Sequence, residues 1–434
     1  MKTNITYILS LFFMLNSFAQ SYTSYRTGSA TSIEVIPLGG SCLMGGASES
    51  DEAMQWFLQR ANGGDVLVLR ASGSDGYNNY MYSDLGVTVN SVETIVFNNS
   101  TASTDAYVLQ RIQEAEAIWF AGGDQWNYVS YWRDTEVQNL INHAINFENL
   151  AIGGTSAGMA ILGRFYFSAE NGTITSAQAL ANPYATNLTV PNTPFLGNWF
   201  LNDVITDTHY DDPDRRGRHT TFLARILIDY GSAGFVNVKG IACDEYTAVC
   251  IDENGGARVF GDYPSFDDNA YFIQANCELT DMTPEICEPN IPLDWNRGGE
   301  ALKVYKVKGT TEGSNAFDLT DWRTGTGGTW EHWSVNNGTL VTQPGTQINC
   351  ILSVDEVAEA ALQIFPNPVK DQLSIISEKP LQTIILLDSF GRIVLQKELS
   401  NVRETTVNVA QLSSGTYFLK VQVNNTITIK KVIK

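Results

Sequence analysis

The chain has 434 residues, a formal net charge of −20 and 43% hydrophobic residues, but only 17% charged residues. This length suits one large domain with an appended unit, or two to three domains, and the apolar content excludes general disorder. Because a strongly acidic surface repels phosphate backbones, we expect no nucleic-acid partner.

The first residues are typical of a secretory signal peptide. Lys2 supplies a positive charge, an apolar run covers residues 8–15, and Ser17 and Ala19 fit a cleavage site. The apolar run is too short for a comfortable membrane span, and no later stretch reaches about 18 apolar residues, so we expect no integral membrane segment. We predict a signal peptide over 1–19, and a buried N-terminal helix is the alternative.

Strands and helices alternate from residue 31 to about residue 162. Continuous apolar runs predict buried strands over 65–70, 92–97, 117–121 and 150–152, and amphipathic stretches predict helices over 54–60, 108–115 and 131–147. This alternation predicts an α/β fold with a mostly parallel sheet and helices on both faces.

The later part of the chain has a different pattern. Short strands at 203–206, 239–242, 248–251 and 301–307 alternate more and predict antiparallel pairing. Residues 20–350 are predicted to form the α/β domain, 351–361 a linker, and 362–434 a small all-β sandwich. From residue 362 the chain has nine basic and five acidic side chains, and this change in the sign of the charge supports a boundary.

All six cysteines follow the predicted signal peptide. They are Cys42, Cys243, Cys250, Cys277, Cys287 and Cys350. An oxidising compartment permits up to three disulfides, and the absence of a tight C-x-x-C pair gives little support for structural zinc. Cys277 and Cys287 flank a short loop and are the best local pair for a disulfide, with free thiols as the alternative.

Residues 154–158 read Gly-Thr-Ser-Ala-Gly, a G-x-S-x-G motif between a buried strand and a helix-forming stretch. In such an elbow the small residues permit a strained turn that exposes Ser156 as a nucleophile. The N–H of Ala157 would then bind an oxyanion. The alternative is a glycine-rich turn in which Ser156 caps the helix.

A second glycine-rich turn at residues 122–125 follows another buried strand. In a parallel sheet it would lie at the same edge as Ser156. Gly122 or Gly123 could supply a second oxyanion N–H, and Gln125 could bind a substrate amide. The turn lacks the lysine of a phosphate-binding loop.

A serine nucleophile needs a base, and the chain has four histidines. His209 directly follows a predicted strand and is preferred, with His219 as the alternative; His143 and His332 fit packing or surface roles. His209 and His219 together also allow a metal site for calcium or zinc. The nearby carboxylates are Asp207, Asp211, Asp212 and Asp214. Asp244 and Glu245 are candidates for the carboxylate that orients the base, and a polar hairpin turn is the alternative.

Together these blocks resemble the cyanophycinase group of serine peptidases, relatives of the bacterial aspartyl dipeptidase. The likeness spans about residues 31–310 and rests on residues 122–125, 154–158, 207–210 with 215–218, and 240–248. It implies a flavodoxin-like α/β fold, Ser156 as the nucleophile, His209 as the base and Glu245 as its orienting carboxylate. It also implies a substrate pocket formed by Gln125, Asp207, Arg215 and Arg218, with no metal or organic cofactor.

The resemblance further implies an activity and a substrate. The family cleaves cyanophycin, a polyaspartate with arginine on its side chains, so we expect hydrolysis of aspartyl peptide bonds in that polymer or in related peptides. Thr208, Tyr210 and Pro213 depart from the family pattern and leave the triad intact. The competing class is a catalytically inactive or calcium-dependent surface binding protein on the same fold, and a homodimer is kept open.

The tail resembles the C-terminal sorting domain of the type IX secretion system, with matching residues at 365–368, 388–392, 412–418 and 430–434. This implies a partner in the secretion machinery and passage across the outer membrane of a Gram-negative bacterium. The tail would be cleaved, or the protein attached at the surface. A carbohydrate-binding β-sandwich is the alternative.

Overall fold

The structure is a computed structural model that describes residues 20–231, 237–349, 362–388, 393–423 and 426–434. The predicted signal peptide (1–19) and the predicted linker (351–361) lie outside the described residues. Helices α1 to α8 are, in chain order, Asp51–Arg60, Gly76–Asn79, Ala106–Gln113, Gln125–Trp132, Glu136–Phe147, Ala157–Ala160, Ser176–Ala181 and Arg216–Tyr230. Strands β1 to β16 are Tyr22–Gly28, Ser41–Met44, Asp65–Arg70, Ser91–Phe97, Ala117–Phe120, Ala151–Thr155, Val204–Asp207, Lys239–Cys243, Ala248–Ile251, Gly256–Tyr263, Asn269–Ala275, Leu302–Lys308, Asn315–Asp318, Gly325–Thr326, Gly328–Asn336 and Thr339–Pro344.

Five adjacent strands form the parallel centre of a ten-stranded sheet. Their order is β4-β3-β5-β6-β2, and each neighbouring pair is parallel. β1 joins one side antiparallel, and β9, β10, β13 and β14 continue the other side antiparallel. The structure therefore has the predicted combination of helices and sheets, but the sheet is mixed, and the predicted parallel arrangement holds only for its centre.

Helices cover both faces of that centre. In β3 the side chains of Val66 and Val68 pack on the face covered by α1, whereas Leu67 and Leu69 pack on the face covered by α3, α4 and α5. A strand with two buried faces needs a continuous apolar run, because alternate side chains point to opposite sides. The run at 65–70 is thus explained by its central place in the sheet.

A six-stranded sheet has the order β16-β15-β12-β11-β8-β7. Most of its pairs are antiparallel, as predicted, but β7 runs parallel to β8. Helix α8 connects these two strands, and such a crossover returns the chain in the same direction. Phe222 and Ile226 of α8 pack with Ile205 of β7 and Ile273 of β11 in one core. The carboxyl ends of β7 and β8 therefore lie side by side.

The predicted helix over 131–147 is interrupted. The structure has two helices, α4 and α5, and between them Asp134 has a φ of 61°. A positive φ is incompatible with a continuous right-handed helix, so the chain changes direction there. The sequence has no glycine or proline at this point to indicate the break.

The C-terminal strands form a separate all-β sheet. They are β17 Leu362–Phe365, β18 Gln372–Leu387, β19 Ile393–Asn408, β20 Thr416–Val423 and β21 Thr426–Ile433. β18 pairs with β17, β19 and β20, and its register shifts near Leu381. The predicted all-β character is confirmed. Within the described residues, however, the strands form one curled, hydrogen-bonded sheet where two packed sheets were predicted.

Among the described residues, no helix is both long enough and apolar enough to cross a bilayer.

The predicted disulfide between Cys277 and Cys287 is wrong. Cys277 is disulfide-bonded, but Cys287 is free, and Cys350 lies outside the described residues. Cys287 is buried in the core beside α8, where burial raises the pKa of its thiol to about 12. The other free and buried cysteines are Cys42, Cys243 and Cys250. Cys42 and Cys250 face each other across β2 and β9, with their Sγ atoms 3.6 Å apart.

We predict that Cys277 resists alkylation by iodoacetamide in the denatured, unreduced protein. Cys287 and the three other free cysteines should be alkylated fully, because unfolding exposes their thiols. Peptide mapping by mass spectrometry checks this. Recovery of a peptide that links Cys277 to Cys287 would contradict the assignment.

Glu116 is a buried carboxylate at the start of β5. Its Oε2 accepts a hydrogen bond from the N–H of Asp65 at 2.6 Å. Glu116 as a whole is only 7% exposed. Burial raises the pKa of Glu116 to about 7, and the negative charge of Asp65 adds to the effect. Folding therefore favours the protonated form of this side chain.

We predict that Glu116 makes the protein less stable as the pH rises from about 4.5 to about 7. Over that range the folded state holds a proton that the unfolded state has lost, so a rising pH favours unfolding. Glu116→Gln keeps an acceptor for the Asp65 N–H and should reduce the slope of unfolding free energy against pH. Urea unfolding between pH 4.5 and pH 8 measures it, and an unchanged slope would refute the assignment.

Candidate active site

Ser156 lies in the turn between β6 and α6. Its φ of 53° and ψ of −118° are rare for an L-residue. The flanking glycines allow the turn: a Cβ on Gly154 would lie 2.7 Å from the carbonyl carbon of Gly158, and a Cβ on Gly158 would lie 2.1 Å from the carbonyl oxygen of Phe120. Ser156 makes no capping hydrogen bond to α6, so its hydroxyl is not used as the capping alternative requires.

His209 follows β7 and reaches across to the serine. Its Nε2 lies 2.8 Å from the Oγ of Ser156, and its Nδ1 makes a short hydrogen bond to Oε1 of Glu245. This arrangement fits a neutral imidazole in which Nδ1–H donates to the carboxylate and Nε2 accepts from the serine hydroxyl. His209 has a φ of 45°, so its backbone, like that of Ser156, is left-handed.

Glu245 follows β8, and only one member of the acidic pair is directed to the histidine. The N–H of Glu245 donates to Oδ1 of Asp211 at 3.0 Å. Asp244 points into the fold, where its Oδ2 accepts from the backbone and side-chain amides of Asn269 at 2.8 and 3.0 Å. Burial raises the pKa of Asp244 to about 7. The structure thus separates a buried Asp244 from a Glu245 that is in contact with His209.

A turn that sequence reasoning missed holds these segments together. Gly45 and Gly46 follow β2 at the same edge of the sheet. The N–H of His209 donates to the carbonyl of Gly45 at 2.9 Å, and the N–H of Tyr246 donates to the carbonyl of Gly46 at 3.2 Å. A Gly-Gly pair directly after a buried strand, as at Gly122 and Gly123, is the signal that could have found it.

The turn at residues 122–125 lies beside Ser156, as predicted from the sheet. A Cβ on Gly122 would be 3.7 Å from the Cβ of Ser156. Gly123 packs against the hydroxyl of Tyr128, which donates to the carbonyl of Gly122 at 3.1 Å. Gln125 begins α4, and its Nε2 donates to the carbonyl of Phe167 at 3.4 Å.

Asp207 and Arg218 form a buried ion pair next to the histidine. Arg218 donates to both oxygens of Asp207, at 2.9 Å through Nε and 2.5 Å through Nη2, and the residues are 4% and 2% exposed. Burial alone would raise the pKa of Asp207, but the charge and hydrogen bonds of Arg218 hold it below its usual value. The two charges satisfy each other, so Arg218 does not present a free cation to the solvent.

Arg215 is placed differently. Its Nη1 donates to the carbonyl of Thr208 at 3.0 Å, next to His209, while its Nε is buried and has no hydrogen-bond partner. Burial, together with the charge of Arg218, lowers the pKa of its guanidinium. Arg215 therefore has donor capacity left beside the histidine.

The remaining histidines do not contact Ser156. His219 is fully buried, with its ring nitrogens 3.2 Å from the Tyr210 hydroxyl and 3.2 Å from the Ile205 carbonyl. Burial lowers the pKa of His219 to about 4. His143 is exposed on α5 beside Glu148, and His332 is buried beside Glu300.

Three of the four carboxylates considered for a metal site have other partners. Asp207 pairs with Arg218, Asp214 pairs with Arg216, and Asp211 accepts from Glu245. In the part of the chain that the structure describes, no three His, Cys, Asp or Glu side chains converge as a metal site would require.

Two families match this chain. Residues 38–225 match the sequence model of Peptidase family S51, and residues 363–434 match that of the secretion system C-terminal sorting domain. The first match includes Ser156, His209, Arg215 and Arg218, and it ends before Glu245. The match to the sorting domain indicates export by type IX secretion, to the medium or the cell surface.

Curated relatives are cyanophycinases at low identity. The chain is 24% identical over 226 residues to the cyanophycinase of Synechococcus elongatus, covering 50% of this chain and 64% of that protein. It is 22% identical over 243 residues to the cyanophycinase of Trichormus variabilis, covering 54% and 73%. The chain thus spans 64% of the length of the first of these relatives.

Solved structures of peptidases are also similar. A peptidase from an acI-B1 Actinobacterium has a TM-score of 0.37 at 16% identity, covering 52% of this chain and 89% of that one. A putative peptidase E protein from Listeria monocytogenes EGD-e has a TM-score of 0.32 at 14% identity, covering 51% and 98%. This chain therefore contains one region, residues 38–225, that matches Peptidase family S51, and a second, residues 363–434, that matches the secretion system C-terminal sorting domain.

Proposed function

We propose that this chain is an exported serine-type peptidase whose catalytic triad is Ser156, His209 and Glu245. The observation that carries the proposal is the position of His209, which contacts the serine hydroxyl with one ring nitrogen and the glutamate with the other. A nucleophile, a base and an orienting carboxylate in this geometry are what acyl transfer through a serine requires. The peptidase family and the cyanophycinase relatives support the same class of reaction.

In the first half of the reaction, the Oγ of Ser156 attacks the substrate carbonyl carbon and its proton moves to Nε2 of His209. Glu245 accepts the hydrogen bond from Nδ1–H and stabilises the imidazolium that forms. We assign the N–H groups of Ala157 and Gly123 to the oxyanion, since the Gly122–Gly123 turn lies against Ser156.

In the second half, the bond between the carbonyl carbon and the leaving nitrogen breaks, and His209 gives its proton to the amine. A water molecule then attacks the acyl-enzyme and passes a proton to His209. The Oγ of Ser156 leaves and takes that proton back. Each step uses side-chain and backbone groups of this chain and the two substrates, peptide and water.

We further propose that the substrate contains aspartyl peptide bonds, as in cyanophycin or related Asp-containing peptides. Arg215 is the strongest candidate for contact with an anionic substrate group, because it is partly exposed next to the His209 segment, whereas Arg218 is buried and paired with Asp207. Gln125 would contribute its carbonyl oxygen, since its amide already binds Phe167. The buried Asp207–Arg218 ion pair would line the substrate pocket next to Arg215.

The proposed export of the protein rests on the predicted signal peptide and on the match to the sorting domain. A signal peptide over 1–19 would direct the chain across the inner membrane of a Gram-negative bacterium, and the tail would then direct it through the type IX machinery. The mature peptidase would act outside the cell.

We predict that Ser156→Ala abolishes labelling by a fluorophosphonate probe and lowers peptide turnover by about 10⁴-fold to 10⁶-fold. His209→Ala should have an effect of similar size, because the serine loses its base. Glu245→Gln should reduce turnover by about 10⁴-fold, since the imidazole loses its orienting carboxylate. Gel fluorescence and hydrolysis of cyanophycin and of an aspartyl peptide library provide the measurements.

Ser83→Ala is the matched control for these variants. Ser83 is an exposed serine that hydrogen-bonds only locally, to Asn79 and Asp84, so this variant should label and turn over like the wild type. Circular dichroism verifies that each variant is folded. Full activity of a folded Ser156→Ala protein would eliminate the proposed mechanism.

We predict that Arg218→Ala lowers the free energy of unfolding by about 3–5 kcal/mol, because it leaves Asp207 buried without its partner. Arg216→Ala, the neighbouring substitution, removes only a half-exposed pair with Asp214 and should change stability by about 0–1 kcal/mol. Urea unfolding of both proteins measures the difference. Equal losses would show that Arg218 is not the structural partner of Asp207.

A further inference from the structure

Gly46 lies directly against the ring of His209. Its φ is 125°, and a Cβ built on it would lie 2.4 Å from both Cε1 and Nε2 of the imidazole and 3.0 Å from Cδ2. These distances are about 1 Å below ordinary contact between non-bonded heavy atoms. The ring therefore rests on a position that only a residue without a side chain leaves open.

The backbone at this point is fixed from several directions. The carbonyl of Gly45 accepts from His209, the N–H of Gly45 donates to Thr247, and the carbonyl of Gly46 accepts from Tyr246. A Cβ on Gly45 would lie 2.0 Å from the carbonyl oxygen of Asp244. The turn is thus held between the segment of His209 and the segment of Glu245. Its backbone therefore has no space to move away from the imidazole ring.

A side chain at position 46 would consequently displace the imidazole and not the backbone. The ring is the end of a side chain with two rotatable bonds, and it is 23% exposed, so it has space to turn away. The contact that this movement breaks first is the one from Nε2 to the Oγ of Ser156, because Nε2 is among the atoms nearest to the added Cβ.

We propose that Gly46 is a positioning residue that holds the His209 imidazole in line between Ser156 and Glu245. This rests on the proposed function, since it concerns the same triad. Gly46 touches no reacting atom of the substrate in this role. Its backbone is the support on which the base rests, and its missing side chain is what brings Nε2 to hydrogen-bonding distance of the serine.

The test is the rate of fluorophosphonate labelling of full-length Gly46→Ala. We expect its inactivation rate constant to fall about 100-fold with an unchanged affinity for the probe, since a displacement of about 1 Å in a catalytic group has an effect of that size. Gly63→Ala is the matched control. Gly63 also has a positive φ, of 83°, but a Cβ there would meet no atom within 4 Å. It precedes β3, at the opposite edge of the sheet.

The control separates positioning from backbone strain. Both alanine variants place a Cβ on a residue with a positive φ and should lose thermal stability from that cause, with the larger loss at Gly46, whose φ of 125° lies further from the allowed left-handed region than the 83° of Gly63. Only Gly46→Ala should lose the labelling rate. A Gly46→Ala protein that labels at the wild-type rate overturns the inference while leaving the proposed function intact, whereas a wild-type protein that does not label overturns both.

A second comparison covers the case in which Gly46→Ala folds poorly. In a His209→Ala background the added Cβ has no ring to meet, so Gly46→Ala should lower the melting temperature less than it does in the wild type. Equal losses in the two backgrounds would show that the ring is not what the Cβ contacts, and would also overturn the inference.

Discussion

Strand β2 is the constraint on which the geometry of the site depends. It pairs parallel with β6, which leads into Ser156, and antiparallel with β9, which follows Glu245 and Tyr246. Met44 at its end is opposite Thr155 on one side and Ala248 on the other, and its carbonyl accepts the N–H of Ser156 at 3.1 Å. One strand therefore joins the parallel centre of the sheet to its antiparallel extension and sets the distance between the segments of Ser156 and Glu245.

The same strand explains why residues from three distant parts of the chain meet at the sheet edge. Ser156 ends a parallel strand of the first sheet, whereas His209 and Glu245 follow β7 and β8 of the second sheet. The Gly45–Gly46 turn, which leaves β2, hydrogen-bonds to the segments of both His209 and Glu245. The two sheets thus contribute different members of the site, and their connection runs through backbone hydrogen bonds that involve no charged side chain.

Much of this arrangement could be predicted from local sequence, and the remainder depended on long-range packing. The unbroken apolar run at 66–69 predicts a buried strand because the pattern lies within the strand itself. The sequence could not separate His209 from His219 by spacing alone, since the difference is that α8 turns His219 into the core. Likewise, Cys277 and Cys287 are close in the chain, but Cys287 is a free thiol buried in the core beside α8, whereas Cys277 is disulfide-bonded.

Packing also decides which arginine side chain near the site keeps a free donor. The sequence places Arg215 and Arg218 three residues apart in a strongly acidic chain, and both could serve an anionic substrate. In the structure Arg218 is neutralised by Asp207 within the core, and Arg215 keeps an unsatisfied donor beside His209. Which arginine is available is therefore decided by the carboxylate that ends β7.

Ser156, His209 and Tyr246 all have left-handed backbones, with φ values of 53°, 45° and 59°. Each such conformation is unfavourable for a residue with a side chain, by about 1 kcal/mol or more, and would be relieved by glycine. Selection for thermal tolerance alone would therefore favour glycine at 156 and 209, where it would remove the proposed nucleophile and the proposed base. At these two positions a gain in stability would oppose the proposed hydrolytic activity. Laboratory evolution for higher thermal stability would therefore have to select for that activity as well, from the first round.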